Sequence, residues 1–179
     1  LWPLSGDPPP PSRQLVTRSD QLGFVYTLDV SPDGQTLLVG SETGKVTLIP
    51  LAGPIRQLAG FTTKAFGVAF SRDGRFAAAG GQYVQEAVVR VWEVAGGKQV
   101  AVLDSGVKEP INGVAFLPDG SLVAVSDSGF RVWDVVAGTS RVLWAPEKPV
   151  PGLGAGALRG SASGKIPFVH EGVACILDS

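Results

Sequence analysis

Short apolar runs separated by turn residues recur along the chain at a nearly constant spacing. A Ser-Pro-Asp-Gly turn at residues 31–34 returns as Ser-Arg-Asp-Gly at 71–74 and as Leu-Pro-Asp-Gly at 117–120. An alternating apolar run precedes each turn, and two further runs and a weaker fourth one follow it. Period-two alternation and β-branched residues favour strands over helices. The pattern therefore predicts an all-β chain with four short strands in every 40–46 residues.

The third run of each repeat carries the most distinctive residues. Trp92-Glu93 and Trp133-Asp134 both lie between valines and shortly before a glycine turn. Together with the turn spacing, these dipeptides resemble the WD-repeat family of β-propellers, in which four-stranded blades stand around a ring. The resemblance is close over residues 20–145 and weaker up to 179. The Gly-His pair that the family carries before each first strand is absent, so its histidine hydrogen-bond network is not expected here.

The resemblance divides the chain into consecutive repeats. We assign residues 1–19 to the tail of a preceding repeat, a proline-rich connector and an outer strand. The repeats that follow cover residues 20–53, 54–97, 98–138 and 139–179. The last is degenerate and glycine-rich, but residues 165–170 and 173–178 still predict its second and third strands.

About four blades make a partial ring, or half of a larger propeller. Family members usually close with about seven or eight blades, the chain contains no methionine, and it begins inside a repeat. We therefore interpret it as a fragment whose open blade edges pair with a second copy or with the missing half of the ring.

Composition narrows the range of partners. The chain has 15 basic and 16 acidic side chains and a formal charge of −1, which argues against nucleic-acid or anionic-membrane binding because both require clustered Lys and Arg. No run of eighteen apolar residues is present, so no membrane span is predicted. A single cysteine excludes an internal disulfide and zinc sites built on several thiolates. The composition does not identify the cellular compartment of the protein.

The residues with reactive side chains have simpler structural roles. Asp33, Asp73 and Asp119 each precede a turn glycine, and the repeat spreads them around a ring instead of bringing them to one site. We expect His170 to lie at the surface and Cys175 to act as a small buried apolar residue. No catalytic, cofactor-binding or metal-binding residue is predicted, and no enzymatic activity is expected of these residues.

Two glycine-lysine stretches imitate phosphate-binding loops. Residues 40–45 and 160–165 have three residues between their glycines where a phosphate loop has four, and Val46 and Ile166 stand where it has Ser or Thr. Both stretches are better explained as hairpin turns.

The candidate partner-binding face lies where the chain enters each first strand. Side chains at these positions often contact partners in proteins of the family that the chain resembles. Alignment of the repeats selects Phe24, Tyr26, Lys64, Phe66, Pro110 and Asn112. The alternative that Tyr26 and Phe66 only pack beneath the turn stays open, and the insert at residues 80–87 is a second candidate.

These features favour a non-catalytic scaffold that presents a propeller face to a protein or peptide. The alternative is a propeller appended to a larger enzyme or sensor whose catalytic domain lies outside this chain. We expect neither a cofactor nor a nucleic-acid partner.

Overall fold

The protein is built from β-strands. A computed structural model describes residues 22–61, 64–81, 87–153, 165–170 and 173–178. Within these ranges there are fourteen strands and no helix. The predicted all-β, propeller-type architecture is therefore confirmed.

The strands form three four-stranded antiparallel blades and one two-stranded sheet, each in chain order. Blade 1 contains β1 (Val25–Val30), β2 (Thr36–Ser41), β3 (Val46–Pro50) and β4 (Arg56–Leu58). Blade 2 contains β5 (Ala65–Phe70), β6 (Phe76–Gly81), β7 (Val88–Glu93) and β8 (Gln99–Asp104). Blade 3 contains β9 (Ile111–Phe116), β10 (Leu122–Ser126), β11 (Gly129–Asp134) and β12 (Thr139–Trp144). The two-stranded sheet contains β13 (Lys165–His170) and β14 (Val173–Asp178).

The cores of the protein lie between the blades. The interface of blades 1 and 2 buries Leu38, Val46 and Leu48 of one blade against Val68 and Trp92 of the other. A second cluster fills the space between blades 2 and 3, and a third lies between blade 3 and the β13–β14 sheet. Because side chains alternate across a strand, blades 2 and 3 each contribute residues to the clusters on both of their faces.

The two tryptophans of the third strands are buried at these interfaces, as predicted. Trp92 belongs to the cluster between blades 1 and 2, and Trp133 to the cluster between blades 2 and 3. The indole N–H of Trp92 donates to the carbonyl oxygen of Ala59 at 2.8 Å, in the loop that leaves blade 1. A backbone carbonyl thus satisfies this buried indole without any histidine.

The innermost strands β1, β5 and β9 lie side by side around the ring. The approach between β5 and β9 is so close that a Cβ atom on Gly67 would lie 2.7 Å from Cα of Gly113. On the other side of β5, the Oδ2 of Asp29 in β1 accepts a hydrogen bond from the backbone amide of Phe70 at 2.8 Å. The inner strands are therefore joined by close backbone packing as well as by side chains.

We expect Gly67→Ala to destabilise the protein by about 1–3 kcal/mol, because the added methyl group must push β5 away from β9. Gly96→Ala is the matched control, since the nearest atom to its added Cβ lies 3.7 Å away and its cost should stay within about 0.5 kcal/mol. Urea unfolding measures both values. Equal stability of the two variants would contradict the close approach.

One face of β1 has no blade packed against it among the described residues. Leu28 and Val30 are 51% and 44% exposed, whereas Val68 and Phe70, at the same positions of β5, are buried against blade 1. The repeat thus places apolar side chains on β1 where a neighbouring blade would cover them.

We expect the 179-residue chain to self-associate through this face of β1. The double variant Leu28→Lys/Val30→Lys should shift it toward monomer in sedimentation velocity, because two ammonium groups would have to be desolvated in the contact. Val136→Lys, at a position that is 95% exposed, is the control. A wild-type chain that sediments as a monomer at all concentrations would refute the prediction.

The aspartate turns between first and second strands act as predicted. The Oδ1 of Asp33 accepts hydrogen bonds from the hydroxyl of Ser31 at 2.6 Å and the amide of Gln35 at 3.0 Å, while Gly34 adopts a φ of 70°. The Asp73 turn of blade 2 repeats both bonds. Blade 3 has a shorter turn, in which Asp119 accepts from the hydroxyl and amide of Ser121.

These bonds lower the pKa of Asp33, Asp73 and Asp119 below the usual value of 3.8, chiefly through the serine hydroxyl and then through the backbone amide. A carboxyl group whose pKa is lower in the folded protein than in the unfolded chain contributes its full stabilisation at pH values above the unfolded-state pKa. This contribution is lost as the pH falls through the folded-state pKa.

We therefore expect the free energy of unfolding to decrease between about pH 5 and pH 2. The triple variant Asp33→Asn/Asp73→Asn/Asp119→Asn should decrease less over that range, because its turns no longer titrate. Urea unfolding at a series of pH values measures both slopes. If the two slopes are the same, the turns do not contribute to acid sensitivity.

Candidate partner-binding face

A β-bulge interrupts the innermost strand of blade 1. Val25 pairs with Ser41 and Thr27 pairs with Gly40, so Tyr26 has no opposing residue. Such a bulge bends the strand and turns the side chain of the extra residue out of the regular pleat.

The same bulge occurs in the other two blades. In β5 it leaves Phe66 unpaired between Ala65 and Gly67, and in β9 it leaves Asn112 unpaired between Ile111 and Gly113. The three residues that sequence alignment placed together therefore occupy one structural position, repeated at the start of each inner strand.

Two of these bulge residues meet across the boundary between blades. The ring centroids of Tyr26 and Phe66 lie 5.4 Å apart with the planes inclined at 46°. Tyr26 is 46% exposed and Phe66 is half-buried. The two rings thus pack against each other and still leave aromatic surface in contact with solvent.

Phe24 extends this aromatic surface before β1. Its side chain is 74% exposed, although its backbone is held on both sides by Glu42. The amide of Glu42 donates to the Phe24 carbonyl at 2.9 Å, and the Phe24 amide donates to Oε1 of Glu42 at 3.4 Å. A fixed backbone with an exposed ring limits the entropy lost when a partner binds.

Lys64 and Pro110 occupy the position of Phe24 in the next two blades. Lys64 is exposed and Pro110 is half-buried. Gly81 permits the backbone at Lys64 to lie against the end of β6, because a Cβ atom there would collide with the Lys64 carbonyl oxygen. With exposed Lys108 and half-buried Glu109 nearby in sequence, the surroundings are charged as well as aromatic.

Asn112 has a different role from the aromatic bulge residues. Its Nδ2 donates to Oδ1 of Asp127 at 2.8 Å and to the carbonyl of Leu153 at 3.1 Å. The same carboxylate oxygen accepts the amide of Gly152 at 2.9 Å. Both amide protons of Asn112 are therefore engaged in holding the segment that follows blade 3.

Sequence reasoning missed Asp127. The only signal was its place between two serines in the hairpin turn from β10 to β11. A side chain that joins segments 15 and 25 residues away in sequence leaves no local pattern to recognise.

The remaining candidates lie partly within the described residues. The hairpin turn predicted for residues 40–45 is present, and residues 42–45 connect β2 to β3. Cys175 is half-buried. The tip of the insert at residues 82–86, the side chain of His170 and residues 1–21 lie outside what the structure describes.

The described ranges contain no group of three or more His, Cys, Asp or Glu side chains placed to hold a metal ion. They also contain no helix with the length and hydropathy needed to cross a bilayer.

Comparison with known proteins agrees with this architecture. The sequence profile of the WD domain, G-beta repeat, matches residues 12–49 and 97–134. An uncharacterized WD repeat-containing protein of Synechocystis sp. is 32% identical over 140 residues, which is 72% of this chain and 37% of that protein. The chain belongs to the WD-repeat family. It spans little more than a third of the length of that WD-repeat relative, and WD repeats are in general protein-interaction scaffolds.

The second profile match shows how WD repeats and blades are offset. Residues 97–134 begin with β8, which is hydrogen-bonded to β7 in blade 2, and continue through β9, β10 and β11 of blade 3. Each such WD repeat therefore links two blades covalently.

Proposed function

We propose that this WD-repeat chain is a non-catalytic scaffold that binds a protein or peptide segment at the start of its inner strands. The observation that carries the proposal is the contact between Tyr26 and Phe66, two bulge residues of neighbouring blades with exposed ring surface. Aromatic side chains on a rigid backbone are the residues that most often dominate binding energy at protein interfaces.

The chemistry around this pair indicates the kind of partner. Phe24 adds apolar surface, while Lys64 and Lys108 are exposed cations. A segment with an apolar or aromatic anchor on the exposed ring surface and an acidic residue toward the lysines fits this surface. In blade 3, Pro110 contributes contact area, and Asn112 supports the partner-binding face through its hydrogen bond to Asp127.

A second role rests on the length of the relative. Since the chain spans 37% of that protein, the propeller in a longer polypeptide can act as the binding appendage of an enzyme or sensor. In both roles, as a scaffold and as an appendage, the chain binds its partner through the same face.

The double variant Tyr26→Ala/Phe66→Ala tests the face. A displayed random-peptide library is panned against the wild-type chain, and the selected peptides are titrated against each variant. We expect the double variant to bind at least about tenfold more weakly, which corresponds to a loss of about 1.4 kcal/mol or more at the aromatic anchor.

Val142→Ala, an exposed position on the outer strand β12, is the matched control and should leave the affinity unchanged. If the selected peptides bind the double variant as tightly as the wild type, the partner face lies elsewhere on the propeller.

A further inference from the structure

An arginine latch joins the outer strand of blade 1 to blade 2. The guanidinium of Arg56 in β4 donates to the carbonyl oxygens of Val94 and Ala95, each at 2.8 Å, in the turn between β7 and β8. Two bonds from one planar group make this a directional contact that lysine does not reproduce.

The next pair of blades lacks this arginine. Arg56 pairs with Leu48 across β3 and β4, and the equivalent pair across β7 and β8 is Val91 with Ala101. A methyl group thus stands at the position from which the guanidinium of Arg56 reaches the following blade.

Blade 3 nevertheless has the same turn, with carbonyl groups at the positions that accept the bonds of Arg56 in blade 2. The turn after β7 closes with a bond from the amide of Gly97 to the carbonyl of Glu93, and the turn after β11 closes with the same 2.9 Å bond from Gly138 to Asp134. This match makes Val135 and Val136 the equivalents of Val94 and Ala95. Among the described residues, no donor reaches the carbonyl oxygens of Val135 and Val136.

A cleft of about 910 Å³ lies at this place, at the end of the inner strands opposite to the bulges. Phe76 of blade 2 and Phe116 and Val135 of blade 3 line it with partly buried apolar surface. The charged side chains that line it are Asp73, Asp119, Asp134, Arg72 and Arg141.

A carboxylate lies in the same turn as the open carbonyls. Asp134 directly precedes Val135, and its Oδ1 accepts the amides of Val136 and Ala137 at 2.9 Å. A carboxylate and two carbonyl oxygens together form a site for a planar cation.

We propose that this cleft binds an arginine side chain of a partner polypeptide, which supplies from outside the latch that Arg56 supplies within the chain. The guanidinium bonds the carbonyls of Val135 and Val136 beside Asp134. Apolar residues flanking the arginine pack on Phe76 and Phe116. This arginine-binding cleft is separate from the partner-binding face that contains Tyr26 and Phe66, and the proposal does not depend on that face.

The test uses an acetylated, amidated peptide with the sequence of residues 54–58, Pro-Ile-Arg-Gln-Leu, titrated into the ¹⁵N-labelled full chain. We expect chemical-shift changes centred on residues 134–138. The citrulline form, which keeps the shape and loses the charge, should bind at least about tenfold more weakly, and the lysine form should also bind more weakly. Equal binding of the arginine and citrulline peptides would overturn the proposal.

Ala101→Arg should occupy the site from within the chain, raising Tm and abolishing the shifts that the peptide causes at residues 134–138. Ala101→Met is the control, because methionine adds side-chain volume at this position without a guanidinium group, and it should raise Tm less than Ala101→Arg does. Undiminished peptide binding by Ala101→Arg contradicts the proposal.

Asp134→Asn gives an independent measurement if Ala101→Arg does not fold. The amide oxygen of asparagine still accepts the turn hydrogen bonds, but the negative charge is lost, so the peptide should bind several-fold more weakly. Unchanged affinity in this variant would also overturn the proposal. Tyr26→Ala/Phe66→Ala should leave binding of this peptide intact, which separates the two sites.

Discussion

The burial of apolar side chains between neighbouring blades is the interaction on which the rest of the structure depends. A four-stranded sheet has two faces and no interior of its own, so each blade is stable only when its neighbours cover it. The clusters that contain Trp92 and Trp133 each draw on two blades. The small residues Gly67 and Gly113 let the inner strands approach closely enough to complete this packing.

The same packing positions the two proposed binding surfaces. At one end of the inner strands, a bulge in each blade releases a side chain from the pleat, and the closeness of β1 and β5 brings Tyr26 and Phe66 into contact. At the other end, the outer strand of one blade lies beside a turn of the next. There the boundary is either closed, as Arg56 closes it, or open, as Ala101 leaves it. Both proposed binding sites thus lie at the boundaries between blades and not within a blade.

Much of the fold was predictable because its signals are local. Strand alternation, the aspartate turns and the apolar third strands each lie within a few residues, and the strands predicted at 165–170 and 173–178 match β13 and β14. The candidate face was predictable only as a list of equivalent positions. Alignment treated Tyr26, Phe66 and Asn112 alike, but the distant acceptors Asp127 and Leu153 engage Asn112.

The sequence by itself determined the repeat, the strand order, the turn chemistry and the faces that each strand buries, because period and turn residues act over short distances. Only the tertiary structure decided which side chains meet across blades. The Tyr26–Phe66 contact joins residues 40 positions apart, and the bonds of Arg56 span 38 and 39. Such pairs depend on how two sheets pack, and no local pattern in the chain encodes that distance.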